Sequence, residues 1–140
     1  QNNCIKFKLF QRYSLKEFVY NFIYSDYVYS YYILDNNVIQ SIIVLFDSQF
    51  TYEDKKVLEL YLYLKNTSIN SSLYLKHILS HLRDNKDYQY VYISDIGDNI
   101  EILDNFENSK LDKYCNTTYI HLYNYHHEQL SKNEILLSFF

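Results

Sequence analysis

The sequence is poor in the residues that usually make turns and cross-links. Its 140 residues include one glycine, no proline and two cysteines. Turns must therefore be made by Asn, Asp and Ser, whose side chains bond to nearby backbone and, for Asn and Asp, tolerate positive φ. Two cysteines, Cys4 and Cys115, are too few for a disulfide framework. We expect a reduced, cytoplasmic protein.

Other absences disfavour several functional classes. The longest strongly apolar run, residues 42–46, is far short of the roughly 20 residues of a membrane-spanning helix, and no signal peptide is visible. The formal net charge is -4 without a basic stripe, so neither nucleic acid nor an anionic membrane surface is favoured as a partner. The chain begins with Gln1 and has no methionine, so we expect it to be part of a longer translation product.

Aromatic residues are abundant, with 18 Tyr and 9 Phe, and the frequent Asn, Lys, Ile and Tyr are typical of an AT-rich genome. A chain of this length is expected to form one domain, residues 1–140, that buries roughly 68–70% of its unfolded surface.

Hydrophobic periodicity predicts the element order β-α-β-β-β-α-β-α-β-β. Ser14 and Glu17 have the spacing of a capping box, which begins a helix to about residue 24 with Phe18, Phe22 and Val19 toward the core. The other predicted helices cover residues 73–83, with Ser72 as N-cap, and 99–108. The predicted strands are residues 5–10, 27–34, 38–46, 57–64, 88–94, 119–125 and 134–140.

Two pairings follow from this order. Residues 27–34 and 38–46 form a hairpin around the turn 35–37, and residues 119–125 and 134–140 form a terminal antiparallel pair. Residues 47–54 form a polar stretch that leads from this hairpin to the next predicted strand. The whole describes an α+β fold with a mixed, mostly antiparallel central sheet flanked by helices.

This order resembles the GNAT superfamily of N-acetyltransferases, and several motifs resemble the C-terminal lobe of eukaryotic glycylpeptide N-myristoyltransferase. Residues 122–125, Leu-Tyr-Asn-Tyr, are similar to that family's Leu-Tyr-Asn-Trp ending, with similar spacing to the C-terminus. Residues 61–63 resemble its Tyr-Ser-Phe-Tyr strand. Residues 16–18, 35–41 and 88–95 resemble, in turn, its acidic aromatic helix, its hairpin and a later strand.

The resemblance implies that this chain is the second of the two lobes of an acyltransferase. The second lobe of that family supplies much of the peptide groove and a catalytic terminal carboxylate, which falls here on Phe140. Tyr61, Tyr63, Tyr123 and Asn124 would contact a peptide that begins with glycine. An upstream lobe would hold myristoyl-CoA, and no metal is implied.

This chain departs from the family's pattern at three places. Residues 114–116, Tyr-Cys-Asn, stand where the family has a Gly-Asp-Gly turn, and Leu64 stands where it has an Asn. Residues 66–72 contain no glycine, so they lack the Gly-rich backbone that cradles a pyrophosphate. We therefore expect that this domain alone binds no cofactor or acyl-CoA.

Two other constellations have simpler explanations. His121, His126, His127 and Glu128 include zinc-binding residue types, but adjacent histidines on an extended chain point in opposite directions, which favours a solvated turn. Cys115 with His121 would be a nucleophile and base, yet nothing nearby lowers a thiol pKa, so a small buried side chain is favoured.

Three tyrosines share one face of the second strand. Two roles are open for Tyr27, Tyr29 and Tyr31, lining an acyl or peptide groove or packing against the core, and packing is the favoured interpretation.

Two functional hypotheses remain open. One is the peptide-binding lobe of an N-myristoyltransferase-like enzyme. The other is a non-catalytic interaction module of a larger protein, for example a viral one, that kept the fold and lost the chemistry.

Overall fold

The computed structural model describes residues 7–65, 71–105 and 128–136. Three helices and six strands form in these ranges, together with a short 3-10 turn at Lys132–Glu134. In chain order the elements are β1 (Leu9–Phe10), α1 (Leu15–Phe22), β2 (Val28–Asp35), β3 (Val38–Tyr52), β4 (Lys55–Lys65), α2 (Ser71–Lys86), β5 (Tyr88–Ile93), α3 (Asn99–Asn105) and β6 (Ile135–Leu136).

The main sheet has four strands in the order β2-β3-β4-β5. The first two junctions are antiparallel, whereas β4 and β5 are parallel and are joined through α2. This confirms the predicted mixed, mostly antiparallel sheet with helices. A second, two-stranded sheet pairs β1 with β6 in parallel, supported by the Lys8 N–H donating to the Glu134 carbonyl oxygen at 2.9 Å.

The predicted hairpin forms as expected. β2 and β3 pair from Val28 with Phe46 to Asp35 with Val38. The turn between them places Asn36 and Asn37 at φ 48° and 60°. Asparagine tolerates this left-handed region better than most residues, so it does here what glycine does in other hairpins.

The predicted capping box is also present at the start of α1. The Glu17 N–H donates to Ser14 Oγ at 3.2 Å, and the Ser14 N–H donates to Glu17 Oε2 at 2.7 Å. Two of the free donors at the helix start are thereby satisfied. The helix ends at Phe22, two residues earlier than predicted.

The strand predicted over residues 38–46 is longer than expected, and its predicted end is wrong. β3 continues to Tyr52, where Thr51 pairs with Lys56 and Tyr52 with Lys55 beyond an irregularity after Asp47. A turn at Glu53 and Asp54, with φ of 49° and 60°, closes this extension. The extension lies beyond the apolar core, where a ladder needs only backbone partners and polar side chains are tolerated.

The bounds of α2 also differ from prediction. The helix begins at Ser71, so Ser72 lies inside it instead of serving as its N-cap. It continues past Arg83 to Lys86 and stops where Asp87 takes φ 62°. A left-handed residue reverses the chain at this end, which is a common way for helices to finish.

The remaining predicted elements are described in part. The first strand appears as Leu9–Phe10, the third helix as Asn99–Asn105, and the last strand as Ile135–Leu136. Residues 119–125 lie outside the described residues, so the terminal antiparallel pair stays a prediction. The sequence did not predict the pairing of β6 with β1.

Apolar side chains cover both faces of the main sheet. On the α2 side, the helical residues Leu75, Ile78 and Leu82 pack with Ile102 of α3 against strand residues such as Leu60. Tyr29 and Tyr31 pack against this cluster, as the packing interpretation expected, whereas Tyr27 is exposed.

On the α1 side, a smaller cluster is built around the helix. Phe22 is buried with Val44 and Tyr61, and Phe18 packs against them. Phe18 and Phe22 therefore face the core as predicted, while Val19 is half-buried and lines an outer groove.

Candidate functional site

The parallel strands β4 and β5 separate before β4 ends. They are paired from Lys56 with Tyr88 to Leu60 with Ile93, but β4 runs on to Lys65. Within the described residues no strand pairs with this side of β4 beyond Leu60. Ligands of α/β sheets commonly bind in a crevice at the carboxyl ends of parallel strands. We call this place the β4–β5 opening.

A β-bulge shapes β4 at the start of this opening. Val44 pairs with Leu62 and Leu45 with Leu60, which leaves Tyr61 as an extra residue. Tyr61 and Leu62 consequently both pack on the α1 side, while Tyr63 returns to the α2 side. Bulges are frequent next to active sites because they redirect a side chain.

The bulge separates the two predicted contact residues of β4. Tyr61 lies against Phe22, with ring centroids 5.5 Å apart, and its hydroxyl is 3.1 Å from that of Tyr13. Tyr63 is 1% exposed inside the α2-side cluster. Tyr61 is also buried, at 6% exposure, so neighbouring side chains would have to move before a substrate could contact either ring. Their predicted role stays a prediction.

A carboxylate lies immediately before the opening. Glu59 shares its register with Phe46 on β3 and Tyr92 on β5. Leu58 and Leu60 face the α2 side, so by alternation Glu59 faces the α1 side with Tyr61. Burial raises the pKa of the Glu59 carboxyl above its ordinary value, because partial desolvation disfavours the charged form.

Sequence reasoning did not single out Glu59, although a signal was present. It is the only charged residue in the run from Val57 to Leu64. A lone carboxylate in the middle of an apolar strand is costly to bury, so a reason other than stability is expected for it.

The loop after β5 holds the end of β4. The Lys65 N–H donates to Asp98 Oδ2 at 3.2 Å, and the Lys65 ammonium forms an ion pair with Glu101. Asp95 of the same loop pairs with Lys132. These contacts connect the carboxyl end of β4 to the loop that follows β5.

Several predicted site residues lie outside the described residues. These are Phe140, Tyr123 and Asn124, together with the alternatives weighed for metal binding or nucleophilic chemistry, Cys115, His121, His126 and His127. In the part of the chain that the structure describes, no group of three or more His, Cys, Asp or Glu side chains could hold a metal ion. The same part contains no helix long and apolar enough to cross a membrane.

Comparison with known proteins gives matches among solved structures alone. No protein-family model matches the chain, and no curated protein shows significant similarity to it. An aminoglycoside acetyltransferase from an uncultured soil metagenomic sample, in complex with trehalose, superposes with a TM-score of 0.58 and 14% identity over 82% of this chain and 77% of that chain. The complex with sisomicin gives 0.58 and 13% identity, over 80% and 76%.

At this level of identity the likeness concerns the fold alone. The chain has an acetyltransferase-like α+β fold, as the sequence resemblance implied. Nothing in these matches points to N-myristoyltransferase in particular.

Proposed function

We propose that this chain is the acceptor-binding domain of an N-acyltransferase, which transfers an acyl group from a thioester to an amine. The position of Glu59 carries the proposal. An acetyltransferase-like fold places a partly buried carboxylate on β4, one residue before β5 leaves that strand. Perturbed carboxylates in such positions are candidates for acid–base catalysis.

The chemistry requires a proton acceptor. An α-amino group has a pKa of roughly 7.7–8.0, so at neutral pH most of it is ammonium and cannot attack a carbonyl carbon. A carboxylate whose pKa is raised is a better base than one in water. After Glu59 takes the proton, the amine nitrogen bonds to the acyl carbon, the carbon–sulfur bond breaks, and the thiolate leaves and is protonated.

We propose further that the acyl donor is held outside this chain. The segment after β4 has no glycine from residue 66 to 72, and close backbone approach to a pyrophosphate usually depends on glycine. Calorimetric titration of the isolated chain with myristoyl-CoA should therefore show no appreciable binding. Micromolar affinity would contradict this part of the proposal.

A finer version follows from the resemblance to N-myristoyltransferase. In that version the acceptor is a peptide that begins with glycine, Tyr61, Tyr63, Tyr123 and Asn124 contact it, and the terminal carboxylate of Phe140 removes the proton. The two cysteines are consistent with action in the cytoplasm. Glu59 and the Phe140 carboxylate are then rival bases, and variants can separate them.

The experiment measures acyl transfer in the longer protein that this proposal requires. The acceptors are a peptide beginning with glycine and sisomicin, the compound bound to the structural neighbour. Glu59→Gln should lower kcat by roughly 100-fold or more if Glu59 is the base. The matched control is Asp35→Asn, which makes the same change of carboxylate to amide at the exposed end of β2 and should leave kcat unaltered.

A second variant adds one glycine after Phe140. If this lowers kcat while Glu59→Gln does not, the terminal carboxylate is the base and the role of Glu59 is wrong. The preferred acceptor identifies the substrate class.

The alternative is a non-catalytic interaction module. The glycine-free segment and the departures at Leu64 and residues 114–116 favour it, because each removes a polar or flexible group that the resembling family uses. The absence of transfer to either acceptor, with the protein folded and the donor bound, would support the module and exclude the enzyme for those substrates.

A further inference from the structure

The main sheet ends at β2, an edge strand with little protection. Among the described residues, no strand pairs with the outer side of β2. Native edges are commonly protected by lysine or proline, but Val28–Asp35 has no lysine, arginine or proline, and its one charge is the last residue. Tyr32 and Leu34 on this strand are more than half exposed.

Helix α1 adds an apolar surface beside this edge. The Ser30 hydroxyl donates to the Phe22 carbonyl oxygen at 2.6 Å, which holds the end of α1 against β2. On the side of α1 away from the core, Leu15, Tyr20 and Tyr24 are largely exposed and line an open groove of about 530 Å³. A helix that is apolar on its inner and outer faces is usually covered on both.

We propose that the chain forms a twofold-symmetric homodimer in which β2 pairs with β2 of a second copy. A twofold axis perpendicular to the sheet makes this pairing antiparallel and continues one sheet into the next. Both copies of α1 then lie on the same side of the joined sheet and flank the junction. One axis thus pairs the unprotected edge and brings the two α1 helices to the same side of the junction.

The edge is compatible with its own copy despite the net charge of the chain. In a register centred on Tyr31, Val28 faces the second copy's Leu34, and Asp35 faces Tyr27. In this register no carboxylate opposes another, although the chain has a net charge of -4, so the paired strands carry no like charges directly opposite each other.

The available area is also sufficient. A buried tyrosine contributes roughly 150–250 Å², and Tyr20, Tyr24 and Tyr32 are accompanied by Leu15, Leu34 and the backbone edge. With these α1 side chains buried along with the edge, the sum is of the order of the ~800 Å² per partner that a stable interface buries.

The test compares the same substitution on the two edges of the sheet. Tyr32 on β2 is 62% exposed and Tyr92 on β5 is 50% exposed, and both side chains lie on the α1 side. Sedimentation velocity of the wild-type chain should give twice its mass of 17.1 kDa. Tyr32→Lys should weaken dimerisation at least about tenfold, because the axis brings two lysines together, whereas Tyr92→Lys should not change it.

Thiol cross-linking gives a second readout. In a chain with Cys4 and Cys115 replaced by serine, Tyr32→Cys should yield covalent dimers with a short bifunctional reagent, and Tyr92→Cys should not. A wild-type chain that stays monomeric at high concentration overturns the proposal. So does a dimer that resists both Tyr32→Lys and Leu34→Lys, or one that Tyr92→Lys alone disrupts.

Discussion

Glu59 should lower the stability of the fold that carries it. Burial raises its pKa in the folded chain above the ordinary value of 4.5, so the folded state holds the proton more tightly than the unfolded state. At pH values well below 4.5 the carboxyl is neutral in both states. As pH rises through the raised pKa, the folded state must ionise a partly buried group and loses stability.

Glu59→Gln is therefore expected to stabilise the chain at neutral pH, by at most about 1 kcal/mol because solvent screens a half-exposed group. Its advantage should grow as pH rises above 4.5 and vanish in acid. Urea unfolding at several pH values measures this. Equal stability of variant and wild type at every pH would show that burial does not disfavour the charge. A variant that is more stable and inactive is typical of a functional residue.

Tyr88 is the centre of a second polar group, on the α2 side of the sheet. Its ring is buried, and its hydroxyl donates to Asp47 Oδ2 at 2.6 Å. The hydroxyl of Tyr29 is 3.1 Å away and, since the Tyr88 proton is used, donates to Tyr88. Burial, followed by the bond to Asp47, raises the pKa of Tyr88, so the phenol stays neutral and serves as a structural donor.

Tyr88→Phe is expected to lower the free energy of unfolding by about 1.5–3 kcal/mol, the usual contribution of a hydrogen bond to a charged group. Tyr29→Phe is the matched control, because it removes one bond between neutral groups and should cost about 0.5–1.5 kcal/mol. Urea denaturation at neutral pH gives both values. Because Tyr88→Phe removes both bonds, equal losses in the two variants would show that the bond to Asp47 adds no stability.

At the scale of elements, prediction succeeded where a local signal decided the structure. The turn at Asn36 and Asn37 and the capping box at Ser14 depend on residues next to each other in sequence. Prediction failed for the extension of β3 and for the pairing of β1 with β6, because both depend on partners supplied by distant parts of the chain. Polar composition says little about backbone pairing.

The capping box offers a test of how much one such local signal contributes. Ser14→Ala removes the acceptor of the Glu17 N–H and should cost about 0.5–2 kcal/mol. Ser14→Asp keeps an acceptor and should recover most of the loss, because a negative charge is also favourable at a helix start. Thermal unfolding followed by far-UV circular dichroism compares the three chains. An aspartate variant as unstable as the alanine variant would mean that the cap does not stabilise α1.

For the whole molecule, the fold was predictable and the site only partly so. Hydrophobic periodicity predicted the order of elements, and the resemblance of that order to acetyltransferases implied their type of sheet. The bulge at Tyr61 depends on how β4 is paired with β3, and no residue in the strand predicts it. Because of the bulge, Tyr61 and Tyr63 face opposite sides of the sheet. Glu59 becomes a candidate site residue only because the structure shows that β5 separates from β4 just beyond it.

The two apolar clusters should behave as one cooperative unit. They lie on opposite sides of the sheet, but β3 sends Ile43 and Leu45 to the α2 side and Val44 to the α1 side. Loosening either cluster therefore disturbs the strand that both share. Phe22→Ala on the α1 side is expected to cost about 3–5 kcal/mol, and Leu82→Ala on the α2 side about 2–5 kcal/mol.

Each variant should unfold in a single transition at lower denaturant, with far-UV and near-UV circular dichroism changing together. Near-UV signals report the tyrosines of both clusters, whereas far-UV signals report the backbone, so the two probes would separate if one side of the sheet melted first. A Phe22→Ala chain that loses its near-UV signal in part, while the strands and α2 persist to higher denaturant, would show that the α1 side is an independent layer. Coincident transitions would instead identify β3 and β4 as the shared centre through which a change on one side of the sheet reaches the other.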